Sequence, residues 1–303
     1  MPEGPGTVAG LELGELLGRG GMGEVYAASG PSGERLAVKL VNPELLADVT
    51  ARARFEREVR LASTLRHPNV VGVHGGGTEA GRPYLVMDRV DGSDVEALVA
   101  ERGPLHPVWA AAVVGQVGAA LDAAHTLGLL HRDVKPQNVL LAAGTDEPLA
   151  LLSDFGLARH EASMSGLTST GQFVGSVDFA SPEQLQGEPV DARTDVYALG
   201  CVLAYALTGE VPFPRGRDVD KLMAHAMEPP PVPSATVAGV PAGVDAALAR
   251  AMAKDPGERF ASAGELGAEL REAVAGCGPP PPWELPARRE PPPDFDREGA
   301  TVL

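Results

Sequence analysis

From Leu11 to about Val90 the apolar positions fall in short runs around a single helical stretch. Leu11 to Leu17, Gly23 to Ala28 and Leu36 to Leu40 read as three consecutive strands. Val49 to Leu65 reads as an amphipathic helix. Phe55, Val59 and Ala62 lie on one face and Arg52, Glu56, Arg57 and Arg60 lie mostly elsewhere. His67-Pro68 stops that helix, because the residue before proline disfavours the helical conformation. Val70 to His74 and Pro83 to Asp88 add two more strands. After Asp91-Gly92 the pattern turns helical, over Val95 to Ala100, Pro107 to Leu127, Val196 to Leu207, Asp218 to Met227, Val244 to Ala253 and Ala263 to Ala273. A small β-rich part followed by a larger α-rich part is an α+β arrangement, with lobes expected at 11–90 and 91–273. Residues 1–10 read as a flexible leader, and 274–303, rich in proline, as a disordered or extended tail.

Composition narrows the function classes. With 303 residues, 44% of them apolar, the chain can bury a proper core in one large domain or in two lobes sharing a cleft. A formal charge of −16 argues against nucleic acid or an anionic membrane as primary partner. No run reaches the roughly 18–20 apolar residues of a membrane span, so none is expected. The N-terminus lacks the basic and apolar regions of a signal peptide. Cys201 and Cys277 lie far apart without metal-ligand spacing, which fits a reducing cytoplasm.

Four strings carry chemistry. Gly18, Gly20 and Gly23 form a G-x-G-x-x-G pattern that a dinucleotide-binding loop shares. Here EVYAAS and LAVKL follow it, so strand leads to strand. Such a hairpin can lie over a triphosphate with its backbone N–H groups close to the oxygens. Lys39, flanked by apolar strand residues, is placed to hold phosphates, and Glu58 on the following helix is the carboxylate chosen to orient it. HRDVKPQN supplies Asp133 as a proton acceptor, Lys135 to neutralise a transferring phosphoryl group and Asn138 as an amide oxygen for a metal. SDFGLAR adds Asp154, a hard oxygen ligand suited to Mg2+. Phosphoryl transfer needs positioning and charge neutralisation, and these groups supply both.

With Ser181-Pro182-Glu183 in the A-P-E position, these strings occur in the order of a known signature set. The chain resembles the eukaryotic-like (Hanks-type) serine/threonine protein kinases of bacteria over roughly residues 11–273. That resemblance implies a two-lobed kinase fold, ATP with Mg2+ (or Mn2+) as cofactor, and protein substrates. It further implies a homodimer as the partner in autophosphorylation. It assigns Leu17, Gly18, Arg19, Gly20, Gly21, Met22, Gly23, Glu24 and Val25 to the nucleotide. Val25 and Ala37 would form the adenine roof and Leu140 its floor, with Met87 as gatekeeper. The backbone of Asp88 and Val90 would read the adenine edge, and Asp94 would meet the ribose. Asp195 would anchor the catalytic loop, Arg259 would pair with Glu183, and Lys135 accompanies serine/threonine specificity in this family. His131 is expected to be structural. Thr168, Ser169 and Thr170, with Arg132 and Arg159 placed to receive a phosphate, imply activation by autophosphorylation.

Overall fold

The computed structural model describes residues 6–46, 48–155 and 177–285. Strands β1 (Thr7–Val8), β2 (Leu11–Gly20), β3 (Gly23–Ser29), β4 (Arg35–Val41), β5 (Val73–Glu79) and β6 (Arg82–Asp88) form one antiparallel sheet in the order β1-β2-β3-β4-β6-β5. A single helix, α1 (Val49–Ala62), packs on it. The larger lobe holds α2 (Val95–Arg102), α3 (Pro107–Thr126), α4 (Pro182–Gln186), α5 (Ala192–Thr208), α6 (Asp218–Met227), α7 (Ala242–Ala251) and α8 (Ala263–Ala273). Three short strands, β7 (Gly92–Asp94), β8 (Val139–Ala142) and β9 (Ala150–Leu152), make a second sheet at the lobe junction.

The period-two rule explains how β4 serves two cores. Leu36, Val38 and Leu40 join Leu11, Leu13 and Ala28 in a cluster on one face of the sheet. Ala37 and Val41 join the main core on the other face, and Lys39, between them in parity, shares that face. In α1, Ala51, Phe55, Val59 and Ala62 form the buried stripe, and the Asp48 side chain caps its start by accepting from the Thr50 N–H.

Several boundaries move for local reasons. α1 stops at Ala62 rather than Leu65, because the hydroxyls of Ser63 and Thr64 donate to the carbonyls of Arg60 and Leu61 and compete with the helical ladder. The expected strand at Val70 to His74 becomes β5 three residues later, leaving Val70 in an isolated bridge to Leu152. The leader is not wholly unstructured, since Thr7 and Val8 pair with Glu12 and Leu11. Nor is the tail free from residue 274. Val274 is buried, and Cys277, Trp283 and Leu285 pack against the main core. One described helix, α3, is long and apolar enough to cross a membrane by length and composition. Its apolar face is part of the main core, beside residues of α5 and α8, as expected of a core helix.

Candidate active site

The catalytic-loop candidates hang from one buried carboxylate on α5. Asp195, fully buried, accepts the backbone N–H of His131 at 2.8 Å and of Arg132 at 2.7 Å, and its Oδ2 lies 2.7 Å from His125 Nε2. Burial opposes the charge on Asp195, but the hydrogen bonds from His125 and from the His131 backbone hold its carboxyl below the usual range. The twin N–H bonds hold Arg132 at φ 62°, a left-handed conformation that is uncommon outside glycine. From the other side Gln184 Nε2 donates to the Arg132 carbonyl at 3.0 Å. Gln184 is itself fixed by a reciprocal capping box with Ser181 at the start of α4.

His131 ties this loop to the strand that precedes Asp154. Its Nδ1 accepts the Asp133 N–H at 3.3 Å, so the proton sits on Nε2, which donates to the Ser153 carbonyl at 2.9 Å. Burial pushes its pKa down, and the ring is neutral. Asn138 Nδ2 donates to the Asp133 carbonyl at 2.7 Å and to its Oδ2 at 3.2 Å, which leaves the Asn138 carbonyl oxygen as the atom a cation can use. Lys135 Nζ lies 2.9 Å from Asp133 Oδ2. Lys39 Nζ lies 2.8 Å from Asp154 Oδ1. Burial would raise the Asp154 carboxyl, but the Lys39 ammonium prevails and holds it low, so it is ionised. Asp154, like Arg132, carries a positive φ, 55°.

A cavity of about 320 Å3 opens between the lobes. Of the nucleotide candidates, Leu17, Gly18, Val25, Ala37, Met87, Asp88, Val90, Asp94 and Leu140 line it, together with the metal-ligand candidate Asp154. Asp88 N–H is spent on the Gly72 carbonyl and Arg89 N–H on that of Arg35. Asp94 faces the cavity and also caps α2, accepting from the Ala97 N–H at 2.8 Å; burial raises its pKa. The glycines of the hairpin divide into two kinds. At Gly23, with φ 142°, a Cβ would overlap the Leu40 carbonyl, so the sheet itself demands glycine. At Gly18, Gly20 and Gly21 a Cβ would meet no protein atom within 4 Å, so glycine there suits close approach by something other than the chain. Arg19, Gly20, Gly21 and Met22 sit at the β2–β3 turn, beyond the cavity lining.

One assignment changes. Glu58 does not meet Lys39; its Oε1 lies 3.4 Å from Arg132 Nη1, while Lys39 is taken by Asp154. The Glu24 carboxylate pairs with Arg19 at 3.1 Å and Arg82 at 2.8 Å, which leaves its backbone as the part of Glu24 that can face a nucleotide. Val71, Ala97 and Gln137 also line the cavity, and nothing in their local sequence marks them. Among the described residues no group of three or more His, Cys, Asp or Glu could hold a metal unaided. Two hard oxygen donors, on Asn138 and Asp154, fit Mg2+, which takes few protein ligands and completes its shell with phosphates and water.

The family model of the protein kinase domain matches residues 11–263. The chain belongs to the protein kinase family. Serine/threonine-protein kinase PknD of Mycobacterium tuberculosis is 45% identical over 266 residues, which are 87% of this chain and 39% of that protein. PknJ of Mycobacterium bovis, also a serine/threonine-protein kinase, is 45% identical over 273 residues, 88% of this chain and 46% of its own. The chain thus spans less than half the length of these curated relatives. The crystal structure of the PknI kinase domain of M. tuberculosis superposes with a TM-score of 0.74 at 34% identity, covering 90% of this chain and 100% of that one. Arg259 forks onto Glu183 at 2.7 and 2.8 Å, closing the anchor beneath α4. Thr168, Ser169, Thr170 and Arg159 lie outside the described residues.

Proposed function

We propose that this chain transfers the γ-phosphate of ATP to serine or threonine hydroxyls of other proteins. The observation that carries the reading is the convergence of Asp133, Lys135 and Asn138, on a strained loop, with Lys39 and Asp154 beside an interlobe cavity. The cavity's apolar lining suits a purine between Val25 and Ala37 above and Leu140 below, with the Asp88 carbonyl and Val90 N–H reading its edge. Asn138 and Asp154 would hold Mg2+, which when bound neutralises phosphate charge and aligns the transferring group. Lys39 would exchange Asp154 for phosphate oxygens. Asp133 accepts the proton of the incoming hydroxyl as its oxygen bonds to phosphorus and the bond to the departing diphosphate breaks. Lys135 offsets the charge on the moving phosphoryl group.

The presence of Lys39, Asp133 and Asp154 together weighs against a non-catalytic binding module. Lys135 supports serine/threonine substrates through the family pattern. The free cysteines fit a cytoplasmic setting: Cys201 is buried with its thiol pKa pushed up by burial, and Cys277 is half-buried. Activation by phosphorylation of Thr168 and Thr170, between two copies of the chain, belongs to the same proposal.

The test is incubation of the purified chain with labelled ATP, Mg2+ and a generic protein substrate, followed by phosphoamino-acid analysis. Phosphoserine and phosphothreonine are expected with the wild type and none with Asp133→Asn. A folded wild type that binds ATP and transfers nothing, after prior incubation with ATP and Mg2+, overturns the reading.

A further inference from the structure

The proline-rich segment after α8 does not leave the molecule at residue 276. It runs past the start of α3 to the end of α2. The Pro281 carbonyl accepts from Trp109 Nε1 at 3.0 Å, and the rings of Trp109 and Trp283 meet edge to face with centroids 5.8 Å apart. Trp283 and Leu285 turn inward onto the core while Glu284, between them, turns out and pairs with Arg102 at 3.1 Å. Prolines cost this segment little entropy on ordering, because their φ is already set.

Arg102 is the last residue of α2, and α2 is what makes this contact consequential. With eight residues it cannot hold itself as a helix, so its position is set by what it touches. At its start Asp94 caps it from the wall of the interlobe cavity, and Ala97 lines the same wall. In its first turn Glu96 accepts from Gln137 Nε2 at 2.5 Å, on the turn that carries Asn138. The strap holds the opposite end.

We infer that residues 280–285 are a positioning strap that seats α2 and through it sets the affinity of the cavity for nucleotide. This rests on the proposed use of that cavity for ATP. Trp283 and Glu284 are positioning residues, since neither lines the cavity. Trp283 Nε1 is buried without a hydrogen-bond partner among the described residues, which weakens the seated state and leaves its occupancy open to influence from α2. Linkage then works in both directions: nucleotide tightens the strap by the same factor by which the strap tightens nucleotide.

The chain contains two tryptophans, Trp109 and Trp283, so its intrinsic fluorescence reports the strap directly. In the full chain, ATP with Mg2+ is expected to change the tryptophan emission, and Trp283→Ala is expected to weaken binding roughly fivefold, at the lower end of measured couplings. Should Trp283→Ala fail to fold, the charge pair decides, because so exposed a pair adds little stability and its variants will fold. Arg102→Glu alone should weaken ATP binding, and Arg102→Glu with Glu284→Arg should restore it. Trp283→Ala or Arg102→Glu binding ATP as the wild type does, whether or not thermal stability falls, overturns the inference and leaves the strap a structural end. A wild type that binds no ATP refutes the kinase reading instead.

Discussion

Replacing Arg259 tests how the kinase core holds its catalytic loop. The Arg259 and Glu183 side chains are buried, 0% and 4% exposed. Arg259 donates to both carboxylate oxygens of Glu183 and to the carbonyls of Ala253, Arg193 and Lys254, and it lies 4.9 Å from the Tyr197 ring. Arg259→Met removes those donors and leaves Glu183 buried with the Thr194 hydroxyl. Stranding one partner of a buried pair costs about 3–5 kcal/mol. In a domain of this size that is a fall in melting temperature on the order of 10 °C. Arg259→Met with Glu183→Leu should cost less than Arg259→Met alone, because no charge is then stranded.

The pH dependence gives a second check on the same pair. Burial pushes the Glu183 carboxyl up, but the Arg259 hydrogen bonds override it and hold the pKa below its ordinary value of 4.5. In the wild type that stabilisation is present above the ordinary value and is lost as pH falls through the folded one. In Arg259→Met burial, the largest influence, is opposed only by the Thr194 hydroxyl and a backbone N–H, and the folded pKa rises. Its contribution then has the opposite sign, being full at low pH and lost as pH rises. The gap between wild type and variant is therefore widest near neutrality and narrows toward pH 5. Urea unfolding at pH 7.5 and pH 5.5 measures it. A single variant that costs under about 1 kcal/mol, a double that costs more than the single, or a gap that widens with acid refutes the account.

Asp133→Asn should reduce phosphoryl transfer at least a hundredfold, the range for loss of a general base, with little change in melting temperature; near-normal activity in a folded preparation counts against its role. Gly23→Ala should destabilise the small lobe, because its Cβ overlaps the Leu40 carbonyl, whereas Gly20→Ala should leave the melting temperature unchanged and weaken ATP binding; calorimetry and titration of both variants separate the two roles. Lys254→Met should raise the melting temperature at pH 7. Burial lowers the Lys254 pKa to about 8, and its ammonium has no hydrogen-bond partner among the described residues. The wild-type penalty is full below the folded pKa and fades as pH rises toward the unfolded value of 10.5, so the advantage of methionine should shrink over that window in thermal melts.

The catalytic strings and the order of the two lobes were legible because they are local. A lysine at the parity of Ala37 and Val41 must share their face of β4, and Phe55, Val59 and Ala62 must share a stripe of α1. Asp133, Asn138 and Asp154 announce themselves by residue type and spacing. Strands β7 to β9 were not legible, since three or four residues are too few to display a period. Val71 and Ala97 reach the cavity only because distant segments bring them there. Tertiary structure alone decided which charges meet. Glu58 had Lys39 and Arg132 within the reach of one helix, and Glu24 had the arginines of other strands of its sheet. In each case the partner was set by how the lobes and strands are placed, because ion pairing depends on separation in space and carries no trace along the chain. The tail shows the same division: its prolines exclude a helix, but only the fold brings Trp109 and Arg102 to where Trp283 and Glu284 can dock.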